Sequence, residues 1–208
     1  LNPTVADMVS RITRFGTAPT NRYTIDFSNS YSGIKIIQSV LLTKRLSSSL
    51  ESVSVPGIGI ASNPQRFSSG PEREMPYGRT YEQSVDMTFL VGADYFERQF
   101  FTDWMTKIQN QGTNTFGYYK DYVCDLTINL LDRKDRVRYA CKLYEVWPKS
   151  VAAIEVGAET EGLAKQTVSM AYRWWEQVEP FSGRPINPQT TGAAGGPNTR
   201  LGLDLPAV

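Results

Sequence analysis

The chain of 208 residues contains no histidine. This absence removes the commonest general base at neutral pH, and with it Ser-His-Asp and Cys-His catalysis and histidine-ligated metal sites. No P-loop, GxGxxG, CxxC or HExxH motif is present either. We therefore predict a protein that is not an enzyme, with no catalytic residue, no cofactor and no metal site. A hydrolase that uses carboxylates alone is the remaining catalytic alternative, but no carboxylate pair is marked out for it.

Cysteine and long apolar runs are also scarce. The two cysteines, Cys124 and Cys141, are too few for a disulfide scaffold. We interpret them as small buried hydrophobic side chains in a reducing compartment, in preference to a disulfide. No apolar run approaches the ~20 residues that span a bilayer, and the first residues lack the pattern of a signal peptide. We therefore expect no contact with a membrane.

Charge is nearly balanced, with 22 basic and 21 acidic side chains and a net charge of +1. This balance argues against a dedicated nucleic-acid-binding protein, which usually carries a basic excess. An apolar content of 40% fits a folded protein. We expect one domain over residues 1–179, followed by a Gly/Pro-rich extension over 180–208 that cannot build a core alone. We expect such an extension to lie on a larger surface, that of a neighbouring subunit.

Periodicity predicts two helices and several strands. Apolar residues recur at helical spacing over 5–15, between a capping Thr4 and a terminating Gly16, and again over about 94–110. The second helix is expected to pack on a sheet, and five aromatic residues are expected in the core: Phe96, Phe100, Trp104, Trp147 and Trp174. Strands are expected over 22–27, 33–46, 79–91, on both sides of a turn at 132–136, and over 165–177. The segment 33–46 could also be helical, but its β-branched residues favour a strand.

Two features stand out between residues 55 and 91. The strand over 79–91 alternates strictly, with one polar face formed by Glu82, Ser84, Asp86 and Thr88. Before it, about 56–79 form an exposed arm that contains four prolines and few apolar residues. The arm carries side chains of both charge signs: Arg66, Glu72, Arg73, Glu74 and Arg79.

Five segments together carry a family resemblance: GRTYEQSVDMTFL at 78–90, FTDWMTKIQNQG at 101–112, YKDYVCDLTI at 119–128, LYEVWPKSVAAIEV at 143–156 and VSMAYRWWE at 168–176. The pairing of the Trp-Pro segment with the terminal aromatic-Trp-Glu is the most specific part. Over roughly residues 5–177 the chain resembles the tail tube proteins of contractile-tailed bacteriophages, a family shared with the tube proteins of contractile injection systems. The segment 28–50 is longer than a minimal member needs, and the extension lies outside the resemblance.

The resemblance implies a mainly β (α+β) fold, a β-sandwich or barrel-like tail-tube fold with one flanking amphipathic helix. Six subunits would form a ring with a shared inner β-barrel, and rings would stack into the tube that conducts DNA. Glu82, Ser84, Asp86 and Thr88 would face the lumen, because a conduit for a polyanion should be hydrophilic and not basic. A second polar face, Asp125, Thr127 and Asn129, suits the same role less well.

The implied partners are other copies of the chain, the tail sheath protein, the baseplate tube initiator, and the tape-measure protein and genomic DNA in the lumen without sequence-specific binding. The arm would contact adjacent subunits and rings. The implied location is the virion, with assembly in the host cytoplasm. Two alternatives stay open: a tube initiator of the baseplate with the same fold, or the tube protein of a bacterial contractile injection system.

Overall fold

A computed structural model describes residues 4–28, 40–66, 70–154, 156, 162–180 and 186. The described part is mainly β. Its helices are α1 (Val5–Phe15), α2 (Val40–Ser49), α3 (Phe96–Ile108) and α4 (Tyr119–Tyr122). Its strands are β1 (Tyr23–Ser28), β2 (Leu50–Val53), β3 (Ile58–Gln65), β4 (Arg73–Tyr81), β5 (Ser84–Leu90), β6 (Cys124–Leu131), β7 (Val137–Val151), β8 (Lys165–Ala171) and β9 (Trp174–Val178).

Seven strands form one bent antiparallel sheet in the order β1-β6-β7-β8-β5-β2, and β9 also pairs with β7. The long strand β7 changes partners along its length. Its first part lies between β6 and β9, and its last part, 147–151, pairs with β8. The sheet therefore has two layers that share β7: a layer β1-β6-β7-β9, called layer A, and a layer β7-β8-β5-β2, called layer B. The described strands do not close into a barrel.

The core lies on the concave side of this bent sheet, where α3 covers it. Alternation along β5 buries Val85, Met87 and Phe89 and leaves Asp86 outside. Trp104 of α3 is fully buried and meets the ring of Phe27 edge-on, with ring centroids 6.1 Å apart. Its indole N–H donates to the Tyr122 carbonyl at 2.7 Å. Each such aromatic or aliphatic side chain contributes about 1.5–3 kcal/mol through burial. The predicted packing of the second helix on a sheet is confirmed.

The strand expected over 33–46 is wrong wherever the chain is described. Residues 29–39 lie outside the described part, and Val40–Ser49 form α2. Leu42 and Leu46 are four residues apart on one side of this helix, and Leu46 is fully buried in the core. The Ser47 hydroxyl accepts the Ile25 backbone N–H at 3.2 Å, so α2 also covers the outer edge of β1.

Helix α1 forms where it is expected. The Thr4 hydroxyl accepts the Asp7 N–H at 3.3 Å, and the Asp7 carboxylate accepts the Thr4 N–H at 2.9 Å. This reciprocal arrangement caps the helix. Gly16 follows the last helical residue with φ +71°, a conformation that favours glycine. The predicted turn at 132–136 is also confirmed, between β6 and β7.

The last strand is interrupted, and the interruption changes which tryptophan faces the core. β8 ends at Ala171 and β9 begins at Trp174, so the alternation shifts between them. Trp175 packs against the core, whereas Trp174 stacks on Tyr144 with ring centroids 4.0 Å apart. The core position expected for Trp174 therefore belongs to its neighbour.

The other aromatic residues expected in the core differ in burial. Phe100 and Trp104 belong to the core cluster, and Phe96 is half-buried against it. Trp147 is half-buried and meets the ring of Tyr122 edge-on at 6.4 Å. Cys124 and Cys141 are buried and free, as expected, and burial raises the pKa of the Cys141 thiol to about 11. Of the extension 180–208, only Pro180 and Ile186 are described.

Candidate assembly surfaces

The convex side of layer B is a polar surface rich in hydroxyl groups, which we call the polar wall. Cross-strand pairing aligns Asp86 of β5 with Ser169 of β8, and Ser169 in turn with Ser150 of β7. One step along, Thr88 pairs with Thr167, and their hydroxyl oxygens lie 3.2 Å apart. The wall consists of Ser52, Ser84, Asp86, Thr88, Ser150, Thr167 and Ser169.

Charge on the polar wall is low. Asp86 is exposed, while Glu51 and Lys165 form an ion pair across β2 and β8 at one end. Hydroxyl groups that bond to one another and to water offer neither a cationic nor an apolar surface to a passing molecule. Such a wall suits contact with a hydrated polyanion that must not stick.

The structure brings three of the four expected wall residues together and separates the fourth. Ser84, Asp86 and Thr88 share the outer face of β5. Glu82 lies in the short connection between β4 and β5, because the alternation breaks before Ser84. Its carboxylate accepts the Gly57 N–H at 3.3 Å, so it belongs to the root of the arm.

The expected arm is a two-stranded antiparallel hairpin formed by β3 and β4, with residues 67–69 at its turn outside the described part. We call residues 58–81 the arm hairpin. Almost every side chain of β4 is exposed. The hairpin also carries large apolar side chains without cover in the described chain, since Ile60 is 69% exposed and Tyr77 is 70% exposed. Ile58 and Ile60 share one face of β3. Sequence reasoning missed these exposed apolar side chains: Ile58, Ile60, Met75 and Tyr77.

The charged residues expected on the arm lie along it but do not form a cluster. The Glu74 carboxylate accepts the Ser62 hydroxyl proton at 2.7 Å across the two strands. The Arg66 guanidinium donates to the Gly70 carbonyl at 3.1 Å near the turn. Glu72, Arg73 and Arg79 are exposed, and Arg79 pairs with Ile60 in the register. The arm hairpin therefore presents both charge signs together with exposed apolar side chains.

The root of the arm hairpin is fastened to the folded body. The Trp175 indole N–H donates to the Gly57 carbonyl at 3.0 Å, and the neighbouring Pro56 is buried. Tyr172 is buried nearby, and its pKa is raised to about 12, first by burial and then by the Glu82 carboxylate. The hairpin thus projects from a fixed base.

A second polar cluster, which sequence reasoning missed, marks the bend of β7. Glu145 has φ +56°, a left-handed conformation that is uncommon outside glycine. Its carboxylate accepts the Tyr119 hydroxyl proton at 2.9 Å and a guanidinium proton of Arg173 at 3.0 Å. Burial, followed by the Glu145 hydrogen bond, raises the pKa of Tyr119 to about 12. These contacts connect the bend of β7 to α4 and to the link between β8 and β9.

The outer face of layer A is closed by an ion pair. Asp125 is 1% exposed and lies 3.0 Å from the Lys142 ammonium group, which sits over the Tyr144 ring. Asn129 donates to Asp26 at 2.8 Å on the same face. Of the second polar face proposed for a lumen, Asp125 is thus covered, and the polar wall of layer B is the more open surface.

Among the described residues, the cysteine and carboxylate side chains form no group of three or more that could hold a metal ion. None of the helices in the described ranges is long and apolar enough to cross a membrane.

Comparison with known proteins gives the same family as the resemblance noted in the sequence. A family model described as phage tail tube protein matches residues 18–178, more than half of the chain. No curated protein sequence matches.

Solved structures of contractile injection systems share the fold. The chain is similar to one in the sheath-tube complex of PVC, an extracellular contractile injection system, in its extended state. That similarity has 16% identity and a TM-score of 0.57, and it covers 81% of this chain and 95% of the other. A chain of the anti-feeding prophage baseplate matches with 11% identity and a TM-score of 0.58, covering 79% of this chain and 97% of that one. At these identities the likeness shows the fold alone.

Proposed function

The chain belongs to the phage tail tube protein family, and from this premise we propose that its copies form hexameric rings that stack into the inner tube of a contractile tail. The family is one of structural proteins. The observation that carries the proposal is the arm hairpin, whose large apolar side chains are not covered by any described residue of its own subunit. Ile58, Ile60 and Tyr77 are each more than half exposed. Clustered apolar exposure of this kind marks a protein interface.

Ring closure is supported by the free edges of layer B. Within the described residues, β2 pairs only with β5, and the 147–151 part of β7 pairs only with β8. The four-stranded layer therefore ends in an unpaired strand on each side. Joining β2 of one copy to β7 of the next satisfies both edges and repeats by rotation until the ring closes. The result is a shared inner β-barrel of six subunits.

The polar wall then faces the lumen. Ser84, Asp86 and Thr88 lie on the convex side of layer B, whereas the core and α3 lie on its other side. A continuous barrel built from layer B would present one side to the channel, and a nearly neutral hydroxyl surface lets DNA pass without binding. The tape-measure protein would occupy the same channel before ejection.

The arm hairpin would dock on an adjacent subunit or on the next ring. Its exposed apolar side chains would supply burial, and the charges at Arg66, Glu72, Arg73, Glu74 and Arg79 would set the register of the contact. Repetition six times per ring lets individually modest contacts hold a stack.

The remaining partners follow from the same model. The sheath protein would surround the tube, and the baseplate tube initiator would begin it. The protein would assemble in the host cytoplasm and reside in the virion, and the 180–208 extension would lie on a neighbouring subunit or on the sheath.

Two related roles are separated by copy number and cargo. A tube initiator of the baseplate would be present as one ring of six copies in each particle, whereas a tube protein would be present in many rings. A tube protein of a bacterial contractile injection system would carry proteins in place of DNA. The fold shared with chains of PVC and the anti-feeding prophage supports keeping this second role in view.

A substitution on the arm hairpin tests the proposal. Ile60→Asp adds a carboxylate among the exposed apolar side chains without touching the core, because Ile60 is 69% exposed. We expect the wild-type chain to sediment as rings and tubes, and the variant to remain monomeric with an unchanged melting temperature. Thr102→Asp, on the exposed side of α3, is the matched control and should assemble. Assembly of Ile60→Asp at the wild-type concentration would show that the arm hairpin is not an interface.

A further inference from the structure

Layer A ends in two outer strands, β1 and β9, and an outer strand presents a row of backbone groups that can pair with another chain. At β1 this row is met by α2, where the Ser47 hydroxyl accepts the Ile25 N–H at 3.2 Å. Among the described strands, β9 pairs with β7 alone. The other edge of β9 is therefore the second outer edge of layer A.

One backbone hydrogen bond shows what meets this edge. The Ile186 N–H donates to the Gln177 carbonyl at 3.1 Å, and Ile186 is half-buried. Ile186 belongs to the extension that follows β9. Backbone groups of successive residues in an antiparallel strand point to opposite sides, so the Gln177 carbonyl lies on the side of β9 that faces away from β7.

The length of the link decides the direction of the extension at this point. Residues 179–185 alone join the end of β9 to Ile186. A parallel return needs a crossover of about a dozen residues or more, whereas antiparallel neighbours can be joined by a short turn. The chain at Ile186 therefore runs antiparallel to β9, in a register that puts Ile186 opposite Gln177.

The sequence around Ile186 suits the edge of a sheet. Pro185 precedes it, and Pro188 follows two residues later. Proline has no backbone N–H, so it occurs at sheet edges and hinders the addition of a further strand. A segment of this composition can bond to β9 through Ile186 while it offers few donors to a strand of another molecule.

We propose that the start of the extension is an edge strap, defined as Ile186 and its bond to Gln177, that covers β9 within the same subunit. The strap keeps layer A from pairing with other copies and leaves ring closure to the outer edges of layer B, on which no described strand pairs. The extension reaches a neighbouring subunit only beyond this anchor. The guarding role rests on the proposed self-assembly, whereas the contact of the strap with β9 does not.

Amide hydrogen exchange tests the contact in a single subunit. The sample is the full-length Ile60→Asp chain, which is expected to remain monomeric, and the reference is a synthetic peptide of residues 181–191. We expect the Ile186 amide to exchange about two- to tenfold more slowly in the protein than in the peptide, the range for one backbone hydrogen bond. Residue-resolved NMR spectroscopy measures both rates.

Two substitutions at one position test the guarding role. Ile186→Pro removes the donor, because proline has no N–H, whereas Ile186→Ala keeps it and is the matched control. We expect Ile186→Pro to shift the protein from uniform rings and tubes into irregular aggregates, because the edge of β9 is then open to other copies. Ile186→Ala should assemble as the wild-type chain does. Sedimentation velocity and negative-stain electron microscopy compare the three proteins.

Each other outcome overturns the strap or its role. An Ile186 amide that exchanges as fast as in the peptide would refute the contact, whether or not the chain assembles. Protection that arises only in assemblies would show that the extension crosses to a neighbouring subunit. Uniform tubes from Ile186→Pro would show that the edge of β9 needs no cover. A wild-type chain that never assembles would refute the proposed function and the guarding role, while exchange at Ile186 would still decide the contact.

Discussion

Glu145 holds the position at which β7 passes from layer A to layer B. Its side chain is 13% exposed and meets both Tyr119 and Arg173. The left-handed backbone at this residue costs about 1–3 kcal/mol of folding free energy, which contacts with the surrounding structure must offset. The strained bend persists because the Glu145 carboxylate accepts hydrogen bonds from both Tyr119 and Arg173.

Removing the charge of Glu145 should loosen this bend. We expect Glu145→Gln to lower the free energy of unfolding by about 1–2 kcal/mol, since two hydrogen bonds lose their ionic partner. Glu72→Gln is the same substitution at an exposed site of the arm and should change it by less than about 0.5 kcal/mol. Urea denaturation of both variants measures the difference, and equal stability of the two would exclude a role for Glu145 in holding the bend.

Asp132 begins the β6–β7 turn and gives the fold a pH dependence. Its carboxylate accepts the backbone N–H groups of Arg136 at 3.0 Å and Lys134 at 2.7 Å, and it also meets the Arg138 side chain. These bonds, the Arg136 N–H foremost, hold the pKa of Asp132 below its usual 3.8. Its stabilising effect is therefore present above that value and is lost as pH falls through the lower pKa of the folded state.

Asp132→Asn removes this pH-dependent contribution. We expect the wild-type protein to melt at a higher temperature than the variant at pH 6, and the gap to narrow as pH falls from about 4 toward about 2. Thermal unfolding across this range measures it. A gap that stays constant down to pH 2 would show that the Asp132 bonds do not stabilise the turn through its charge.

Single residues also mark the limit of what the sequence could predict. Period-two alternation assigns Trp174 to the core, but the break at residues 172–173 moves Trp175 there. The same kind of break removes Glu82 from the face of Ser84, Asp86 and Thr88. Such breaks depend on how neighbouring strands meet, which local periodicity does not contain.

At the scale of elements, α2 covers one end of the core. Leu46 is fully buried, and the helix covers β1 through the Ser47 hydroxyl. Arg45 forms an ion pair with Asp94 and lies over the Phe96 ring, which ties α2 to the start of α3. The part of 33–46 that the structure describes, for which the sequence predicts a strand, thus belongs to a helix that covers the core.

Two leucines of α2 allow a matched test of this role. Leu46→Ala should lower the free energy of unfolding by about 2–5 kcal/mol, because it leaves a cavity in the core. Leu41→Ala, at a side chain that is 77% exposed, should change it by less than about 0.5 kcal/mol. Chemical denaturation measures the free energy of unfolding of both variants, and similar losses from both would mean that α2 does not cover the core.

Elements with strong local signals were predictable. Helical periodicity predicts α3, periodicity with a capping residue predicts α1, and strict alternation predicts β5. The segment containing α2 was not predictable, because apolar β-branched residues fit a buried helix or a strand equally well and tertiary packing decides between them. Composition predicts that the arm is exposed, but it does not predict the hairpin, because the prolines and the bulge between Ala61 and Ser62 interrupt the alternation that would indicate two paired strands.

At the scale of the whole molecule, two features of one subunit suit contact with other copies. The edges of layer B are unpaired within the described residues, and the arm hairpin exposes large apolar side chains. A monomer that kept both in water would be prone to uncontrolled association. The proposed ring would cover both features, and it would place the polar wall along a channel.

The central claim is that six copies close into a ring with layer B inside. Cryo-electron microscopy of the assemblies formed by the purified full-length chain tests it most directly. We predict stacked rings of six subunits, with β2 of each paired to residues 147–151 of β7 in the next, and with Ser84, Asp86 and Thr88 lining the lumen. Rings with another number of subunits, or a channel lined by a surface other than the polar wall, would contradict the account.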